Sequence, residues 1–209
     1  MTDEAQRTRW NDRFSGEDYL FGTAPNAFLA SQQRLLRGVS SATGGTALAI
    51  ADGEGRNGVF LAEQGLDVLS IDFSPVGLEK AKKLAAQRGV RLRTELADLF
   101  AWDWSQRSFD VVVAIFVQFA TPPERARLFE HLKGAVKKGG LLLLQGYRPE
   151  QLQYGTGGPP HAENMYTATM LREVFADMTI LHLAEHDDVI LEGKGHAGMS
   201  ALVDMVARK

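Results

Sequence analysis

The chain has 209 residues, which suits a single folded domain, and 44% of them are hydrophobic, which excludes a disordered chain. A net charge of −3 without a basic block argues against nucleic acid or an anionic membrane as a partner. The absence of cysteine excludes disulfides, thiolate metal sites and a cysteine nucleophile. The polar N-terminus lacks an apolar signal core, and no apolar run is long enough to span a bilayer, so we expect a cytoplasmic protein.

Hydrophobic periodicity and turn residues predict alternating strands and helices. Asn26 can cap one helix, and Ser74 followed by proline begins another. Thr121 and Glu124 form a capping box before a third helix. In chain order, we predict an N-terminal helical segment, strand 46–51, helix 56–64, strand 67–71, a helix from 75, strand 91–96, strand 110–117, a helix from 122, strand 141–145, helix 167–176, and strands 179–191 and 199–207.

This order of elements predicts the fold class. Strands separated by helices form a parallel sheet through crossover connections, whereas the last two strands are joined by a short glycine-containing turn and form an antiparallel hairpin. We therefore expect an α/β protein with a doubly wound, mainly parallel seven-stranded sheet. One domain would cover 1–209, with a helical lid segment over 1–42 and a substrate-side loop over 149–166.

The strongest functional signal is a glycine turn at the end of the first strand. Gly53 and Gly55 form the turn, and Asp72 ends the next strand 19 positions after Gly53. In a doubly wound sheet these strand ends lie side by side, so the glycines can admit a nucleoside cofactor and the acid can accept hydrogen bonds from its ribose. Gly58 completes the dinucleotide pattern GxGxxG, so a nicotinamide-dependent oxidoreductase remains an alternative.

These residues resemble the motifs of class I S-adenosylmethionine-dependent methyltransferases. The first motif is similar to Asp52-Gly53-Glu54-Gly55-Arg56-Asn57, the second to Ile71-Asp72-Phe73-Ser74-Pro75, and the third to Ala97-Asp98-Leu99. Three further segments, 10–14 with 22–26, 55–57 and 155–159, resemble the small tellurite-resistance and thiopurine-type methyltransferases. The resemblance implies S-adenosylmethionine as the cofactor and a small-molecule methyl acceptor that reacts through sulfur, oxygen, nitrogen or a chalcogen oxyanion.

The resemblance also implies a role for each cofactor-binding residue. Asp72 would hold the ribose, Asp98 the adenine amine, and Phe73 would cover the adenine ring. Asp52 could meet the methionine ammonium, because the acid that the family often has at position 49 is an alanine here, and Arg56 could contact a carboxylate or the acceptor. The expected cofactor contacts are Asp52, Gly53, Gly55, Arg56, Asn57, Asp72, Phe73, Ala97, Asp98, Leu99 and Phe116.

Residues on the acceptor side are defined less sharply by the sequence. We expect substrate contacts from Tyr19, Gln118, Arg148 and His161. The candidates for a catalytic base are His161, Tyr166 and His196, although the sulfonium is already activated and a base is not obligatory. The histidines lack metal-ligand spacing, so we expect no metal.

Two other functions remain as alternatives. A nicotinamide-dependent oxidoreductase is disfavoured by the C-terminal hairpin and by the lack of a Tyr-x-x-x-Lys pair. A non-catalytic module that binds S-adenosylmethionine would keep the pocket without turnover. A nucleic-acid methyltransferase is disfavoured by the acidic charge, and the oligomeric state is open.

Overall fold

The computed structural model describes residues 3–105 and 107–209, so residues 1 and 2 of the predicted lid segment lie outside the described residues. The described part folds into helices and strands in the alternating order that the sequence predicts, with one short 3-10 turn at Ala162–Asn164. The elements are α1 (Asp3–Phe14), α2 (Ala27–Ser31), α3 (Gln33–Thr43), β1 (Thr46–Ile50), α4 (Arg56–Glu63), β2 (Asp67–Asp72), α5 (Pro75–Gln87), β3 (Arg93–Leu96), β4 (Phe109–Ile115), α6 (Pro122–Ala135), β5 (Val136–Tyr147), α7 (Gln151–Tyr154), α8 (Ala168–Val174), β6 (Thr179–Glu192) and β7 (His196–Arg208).

The strands form one seven-stranded sheet in the order β3-β2-β1-β4-β5-β7-β6. β1 pairs with β2, β2 with β3 and β4 with β5 in parallel, whereas β7 runs antiparallel to β5. The predicted fold class, a mainly parallel sheet closed by a C-terminal antiparallel hairpin, is confirmed.

The chain divides into two compact units. The first comprises the chain up to Trp102 together with Glu192–Gly195, and the second comprises Asp103–Leu191 and His196–Lys209. The short turn between β6 and β7 therefore belongs with the N-terminal half of the chain. The assignment of 1–209 to one functional domain stays a prediction.

The core of the first unit consists of β1 and β2 with the helices that cover them. Leu48 on β1 and Ile71 on β2 are completely buried, as are Leu61 on α4 and Ala81 on α5. The helix caps follow the sequence signals, because the Asn26 and Ser74 side chains accept hydrogen bonds from the first turns of α2 and α5. This packing fixes the carboxyl ends of β1 and β2.

In the second unit, β5 is longer than the predicted strand 141–145 and follows α6 directly. The C-terminal residue explains the extension. The Gly139 N–H donates to the Lys209 carbonyl at 2.7 Å, and the Lys209 N–H donates to the Gly140 carbonyl at 3.0 Å. Pairing with Lys209 thus holds Gly139 and Gly140 at the edge of the extension, where Gly139 has a φ angle of 80°.

Two predicted segments contain helices that the sequence does not specify individually. The predicted helical segment 1–42 contains two helices, α1 and α2, and most of a third, α3, and α7 forms one turn inside the predicted loop 149–166. Among the helices of the described residues, none combines the length and the apolar character needed to cross a bilayer.

Candidate functional site

The glycine turn after β1 adopts a tight left-handed path. Ala51, Gly53 and Gly55 have φ angles of 46°, 56° and 85°. A side chain at Gly55 would place its Cβ 2.4 Å from the Cβ of Ala81, so α5 approaches the turn too closely for any residue but glycine. The turn leads directly into the N-terminus of α4 at Arg56.

Asp72 connects the end of β2 to this turn. One carboxylate oxygen accepts the Gly53 N–H at 2.7 Å, and the other accepts the Ser74 N–H at 2.8 Å. Burial raises the pKa of the Asp72 carboxyl, and the two backbone hydrogen bonds act in the opposite direction. The strand ends that the sequence predicts to be neighbours are therefore joined by a direct hydrogen bond.

Asp52 points into the protein interior. Its carboxylate accepts hydrogen bonds from the Ser70 hydroxyl at 2.8 Å and from the Gly58 N–H at 3.0 Å. Burial raises the pKa of the Asp52 carboxyl to about 7, although both hydrogen bonds lower it. A Cβ at Gly58 would lie 2.5 Å from this carboxylate. The geometry favours a structural role for Asp52 and explains Gly58 by packing, so contact with a methionine ammonium has no support from the position of this side chain.

Arg56 and Asn57 at the start of α4 contact the N-terminal segment and the β6–β7 turn. Arg56 Nη2 lies 2.6 Å from a Glu192 carboxylate oxygen, and the Arg56 side chain is only 7% exposed. Its second terminal nitrogen, Nη1, is buried without a hydrogen-bond partner among the described residues. The Asn57 side chain accepts the Asn26 N–H at 3.0 Å. Arg56 therefore has an unused donor that a carboxylate ligand could accept.

Helix α1 lies across the glycine turn and the start of α5. A Cβ at Gly53 would lie 3.0 Å from the Phe14 ring, and a Cβ at Gly77 would lie 3.1 Å from the same ring. The Ser74 hydroxyl donates to the Asn11 side chain at 2.6 Å.

Phe73 is covered from the same helix. The Arg7 guanidinium lies 4.6 Å from the centre of its ring. Sequence reasoning predicts a lid segment over 1–42 but gives no role to Arg7, Asn11 or Phe14, because their contacts depend on where α1 docks.

Residues 97–99, directly after β3, contain two buried side chains and an aspartate that forms a turn. Ala97 and Leu99 are buried, and the Ala97 N–H donates to the Asp72 carbonyl at 2.9 Å. One Asp98 carboxylate oxygen accepts the Phe100 N–H at 2.9 Å. This contact gives Asp98 a turn-forming role, and its second oxygen is the one that an adenine amine would use.

Tyr19 is half-buried and lies against the core of the first unit. Its ring packs against the cluster that contains Val59, Leu84 and Ala85, and its hydroxyl donates to the Lys80 carbonyl at 3.2 Å. Burial raises the pKa of Tyr19. These contacts favour a packing role over the substrate contact expected from the sequence.

In the second unit, Phe116 and His196 lie together. Phe116 follows β4 with a φ angle of 56°, a strained conformation for a residue with a bulky side chain. Its ring centre lies 4.7 Å from that of Tyr147 and 4.6 Å from that of His196. The structure thus brings a predicted cofactor contact and a candidate base into one aromatic cluster, and Tyr147 is a member that sequence reasoning missed.

Gln118 has a backbone-pairing role. Its amide nitrogen donates to the Tyr147 carbonyl at 2.8 Å, and its amide oxygen accepts the Tyr147 N–H at 2.6 Å. The side chain therefore continues the ladder between β4 and β5 where Phe116 has left the extended conformation. This accounts for a buried polar residue after an apolar run without a substrate.

The other acceptor-side candidates are dispersed in the second unit. Tyr166 is 1% exposed and donates its hydroxyl to the Val117 carbonyl, and burial raises the pKa of Tyr166, so the geometry favours a structural role over that of a base. Arg148 forms ion pairs with Asp187 and Glu150. His161 is exposed and precedes the 3-10 turn.

Among residues 3–105 and 107–209, no group of three or more histidine or acidic side chains could hold a metal ion.

Known proteins with a similar sequence include methyltransferases. Residues 47–140 match the family described as "Methyltransferase domain". Over 115 residues, which are 52% of this chain and 40% of the relative, the chain is 30% identical to the glycine/sarcosine N-methyltransferase of Parasynechococcus marenigrum (strain WH8102). The chain spans about half the length, or less, of the curated relatives that it matches.

Solved structures share the fold. TehB from Haemophilus influenzae aligns with a TM-score of 0.72 at 19% identity, over 96% of this chain and 67% of that one. The N-methyltransferase NodS from Bradyrhizobium japonicum WM9, in complex with S-adenosyl-L-homocysteine, aligns with a TM-score of 0.69 at 13% identity, over 97% of both chains.

Residues 47–140 thus match a methyltransferase domain, and the chain shares the fold of solved methyltransferases, among which it resembles TehB. The resemblance seen in the sequence is confirmed.

Proposed function

We propose that the protein transfers the methyl group of S-adenosylmethionine to a small-molecule acceptor through a sulfur, oxygen, nitrogen or chalcogen-oxyanion atom. The observation that carries this proposal is the direct hydrogen bond between the Gly53 N–H and the Asp72 carboxylate. It places a ribose acceptor next to the backbone of a glycine turn, which is the arrangement that a nucleoside cofactor needs.

The residues of the first unit fit the parts of the cofactor. Asp72 would accept hydrogen bonds from the ribose hydroxyls, and Phe73 with Asp98 would contact the adenine. Arg56 Nη1, a buried donor with no hydrogen-bond partner in the described part of the chain, would meet the methionine carboxylate. The first turn of α4 adds backbone N–H groups at a helix N-terminus, which favour the same negative charge.

The bound cofactor supplies an activated methyl group, so the protein's contribution is alignment and the exclusion of water. In the first unit, the Phe14 ring lies against the glycine turn and can exclude water from it. In the second unit, Phe116 and His196 are the residues that we assign to the acceptor side, because they form an aromatic cluster around a strained backbone position.

The acceptor is a small molecule in this proposal. Glycine and sarcosine enter as test acceptors because the name of one relative contains them. Small thiols and chalcogen oxyanions enter because the chain resembles the tellurite-resistance and thiopurine-type methyltransferases.

Calorimetric titration with S-adenosylmethionine, S-adenosylhomocysteine and NAD(H) tests the proposal first. We expect affinities of about micromolar, near −8 kcal/mol, for the two adenosyl ligands and no heat from NAD(H). Binding of NAD(H) without binding of the adenosyl ligands would support a nicotinamide-dependent oxidoreductase instead.

Turnover is then measured as S-adenosylhomocysteine formation with glycine, sarcosine, a small thiol and a chalcogen oxyanion. Formation that depends on one acceptor supports the proposal. Tight cofactor binding without turnover on any of the four would favour a binding module.

A further inference from the structure

The glycine turn contains a buried carboxylate that has no role in the proposed cofactor contacts. Glu54 lies between Gly53 and Gly55, and its side chain is 2% exposed. One carboxylate oxygen lies 2.5 Å from the Lys80 ammonium, whose side chain on α5 is 11% exposed. Burial of two charges is costly unless both are well compensated. The groups that compensate this pair therefore identify the part of the chain that it binds.

The Lys80 ammonium is surrounded by backbone carbonyls of one short stretch of chain. It donates to the carbonyls of Phe14, Gly16 and Asp18 at 3.3, 2.9 and 2.6 Å. Phe14 is the last residue of α1, where a helix leaves carbonyls unpaired and where a cation is favourable. The ammonium also lies 4.9 Å from the centre of the Tyr19 ring.

Glu54 contacts the continuation of the same stretch. Its second carboxylate oxygen accepts the Leu20 N–H at 2.7 Å and the Phe21 N–H at 3.4 Å. Residues 14–21, called segment 14–21 below, therefore wrap around the ion pair and contribute three carbonyls and two N–H groups to it.

The two charged residues stand on the two elements that form the cofactor site. Glu54 belongs to the glycine turn, and Lys80 belongs to the helix that follows Asp72. Segment 14–21 begins with Phe14, whose ring covers Gly53, and ends with Phe21, whose ring meets that of Phe14 edge to face at 6.3 Å. Both aromatic rings therefore belong to residues whose backbone contacts the ion pair.

We propose that Glu54 and Lys80 are positioning residues that hold segment 14–21 closed over the bound cofactor. The inference rests on the proposed cofactor site. Because the Phe14 ring lies against Gly53, the segment moves outward when the cofactor enters and is drawn back by the buried charges. Loss of the pair speeds release of the cofactor without changing a group that touches it.

The chain offers a matched control on the same segment. Asp18 also pairs with Lys194 at 2.7 Å, but both side chains are more than three-quarters exposed. Exposed pairs contribute little because water screens them. Lys194, in the turn between β6 and β7, is the partner of that exposed pair, so Lys194→Met removes a lysine that contacts the same segment and leaves the buried pair in place.

The test compares binding of S-adenosylhomocysteine by the wild type, Glu54→Gln, Lys80→Met, the double variant and Lys194→Met. We expect each buried single variant to weaken binding about tenfold or more, mainly through faster dissociation, because removal of one partner leaves the other charge buried alone. The double variant removes both charges together and should weaken binding by less than the product of the two single effects. Lys194→Met should stay within about twofold of the wild type.

Hydrogen exchange separates positioning from general stability. In the wild type, S-adenosylhomocysteine should slow exchange in peptides of 3–26, and in the double variant this protection should be lost while exchange in 141–147 is unchanged. Unaltered affinity in the variants, or exchange that rises equally in 141–147, would overturn the inference. Failure of the wild type to bind S-adenosylhomocysteine would refute the cofactor site itself and this inference with it.

Discussion

Replacement of Asp72 with alanine removes the acceptor of two buried backbone N–H groups. In the wild type, Gly53 and Ser74 donate to this carboxylate at 2.7 and 2.8 Å, and Asp72 is 8% exposed. Each stranded donor costs about 1–3 kcal/mol, so we expect the free energy of unfolding to fall by about 2–6 kcal/mol. That is a large part of the 5–15 kcal/mol that a typical domain has.

The same substitution should weaken cofactor binding for a separate reason. Asp72→Ala leaves the ribose hydroxyls without their acceptor, which costs about 1–3 kcal/mol, or roughly 5- to 150-fold in the dissociation constant. Calorimetric titration with S-adenosylhomocysteine, at a temperature where the variant is fully folded, measures this loss. Urea denaturation of the unliganded protein measures the stability term independently.

Asp67 provides the control at the opposite end of β2. Its carboxylate pairs with Arg93, and both side chains are more than two-fifths exposed. Asp67→Ala should change stability by less than about 1 kcal/mol and leave the affinity unchanged. If Asp72→Ala lowers stability but binds S-adenosylhomocysteine as tightly as the wild type, Asp72 is purely structural and the ribose assignment is wrong.

Three further substitutions test other parts of the structure. Gly55→Ala should lower the free energy of unfolding, measured in urea, by more than about 2 kcal/mol, because its Cβ would lie 2.4 Å from a side chain of α5. The control is Gly89→Ala, which has open space around it and should cost about 1 kcal/mol. Equal losses in the two variants would contradict the close packing at Gly55. Since burial raises the pKa of Asp52 to about 7, the folded state binds the proton more tightly than the unfolded chain, and stability falls as pH rises from 4 through 7. Asp52→Asn should remove up to about 4 kcal/mol of this fall, and parallel stability curves for the two proteins between pH 5 and 8 would refute the shift. Gln118→Leu should cost about 1–3 kcal/mol in thermal or urea unfolding because it removes the acceptor of the Tyr147 N–H, whereas the Tyr147 carbonyl keeps the Tyr166 N–H at 3.0 Å. A loss below about 0.5 kcal/mol would show that the Gln118 hydrogen bonds contribute little.

Local signals in the sequence predict the parts of the fold that depend on near neighbours. The caps at Asn26 and Ser74 and the capping box at Thr121 begin helices where the sequence places them. Each depends on a hydrogen bond that spans only three residues, so the sequence contains the whole interaction. The relation between the glycine turn and Asp72 is also predictable, because parallel strands of a doubly wound sheet end at the same edge.

Contacts between distant residues could not be predicted in the same way. Arg56 pairs with Glu192, 136 positions later, and segment 14–21 surrounds a lysine on α5. Gln118 shows the ambiguity most clearly, since a buried amide after an apolar strand satisfies either a ligand or the backbone of another strand. The sequence indicates that such a residue needs partners but does not say which ones, and here the partner is the backbone of Tyr147.

The buried charges of the first unit favour a positively charged ligand. Arg56 and Lys80 each have a glutamate partner, and the Arg56 charge lowers the pKa of Asp52 only as the smallest of several contributions. Burial raises the pKa of both aspartates because the interior disfavours their ionised form. Under the proposed function, S-adenosylmethionine would bring a sulfonium and an ammonium against one carboxylate, and this net positive charge would favour the ionised form of Asp72. Transfer of the methyl group would remove the sulfonium charge, so the same carboxylate would favour the reactant over the product.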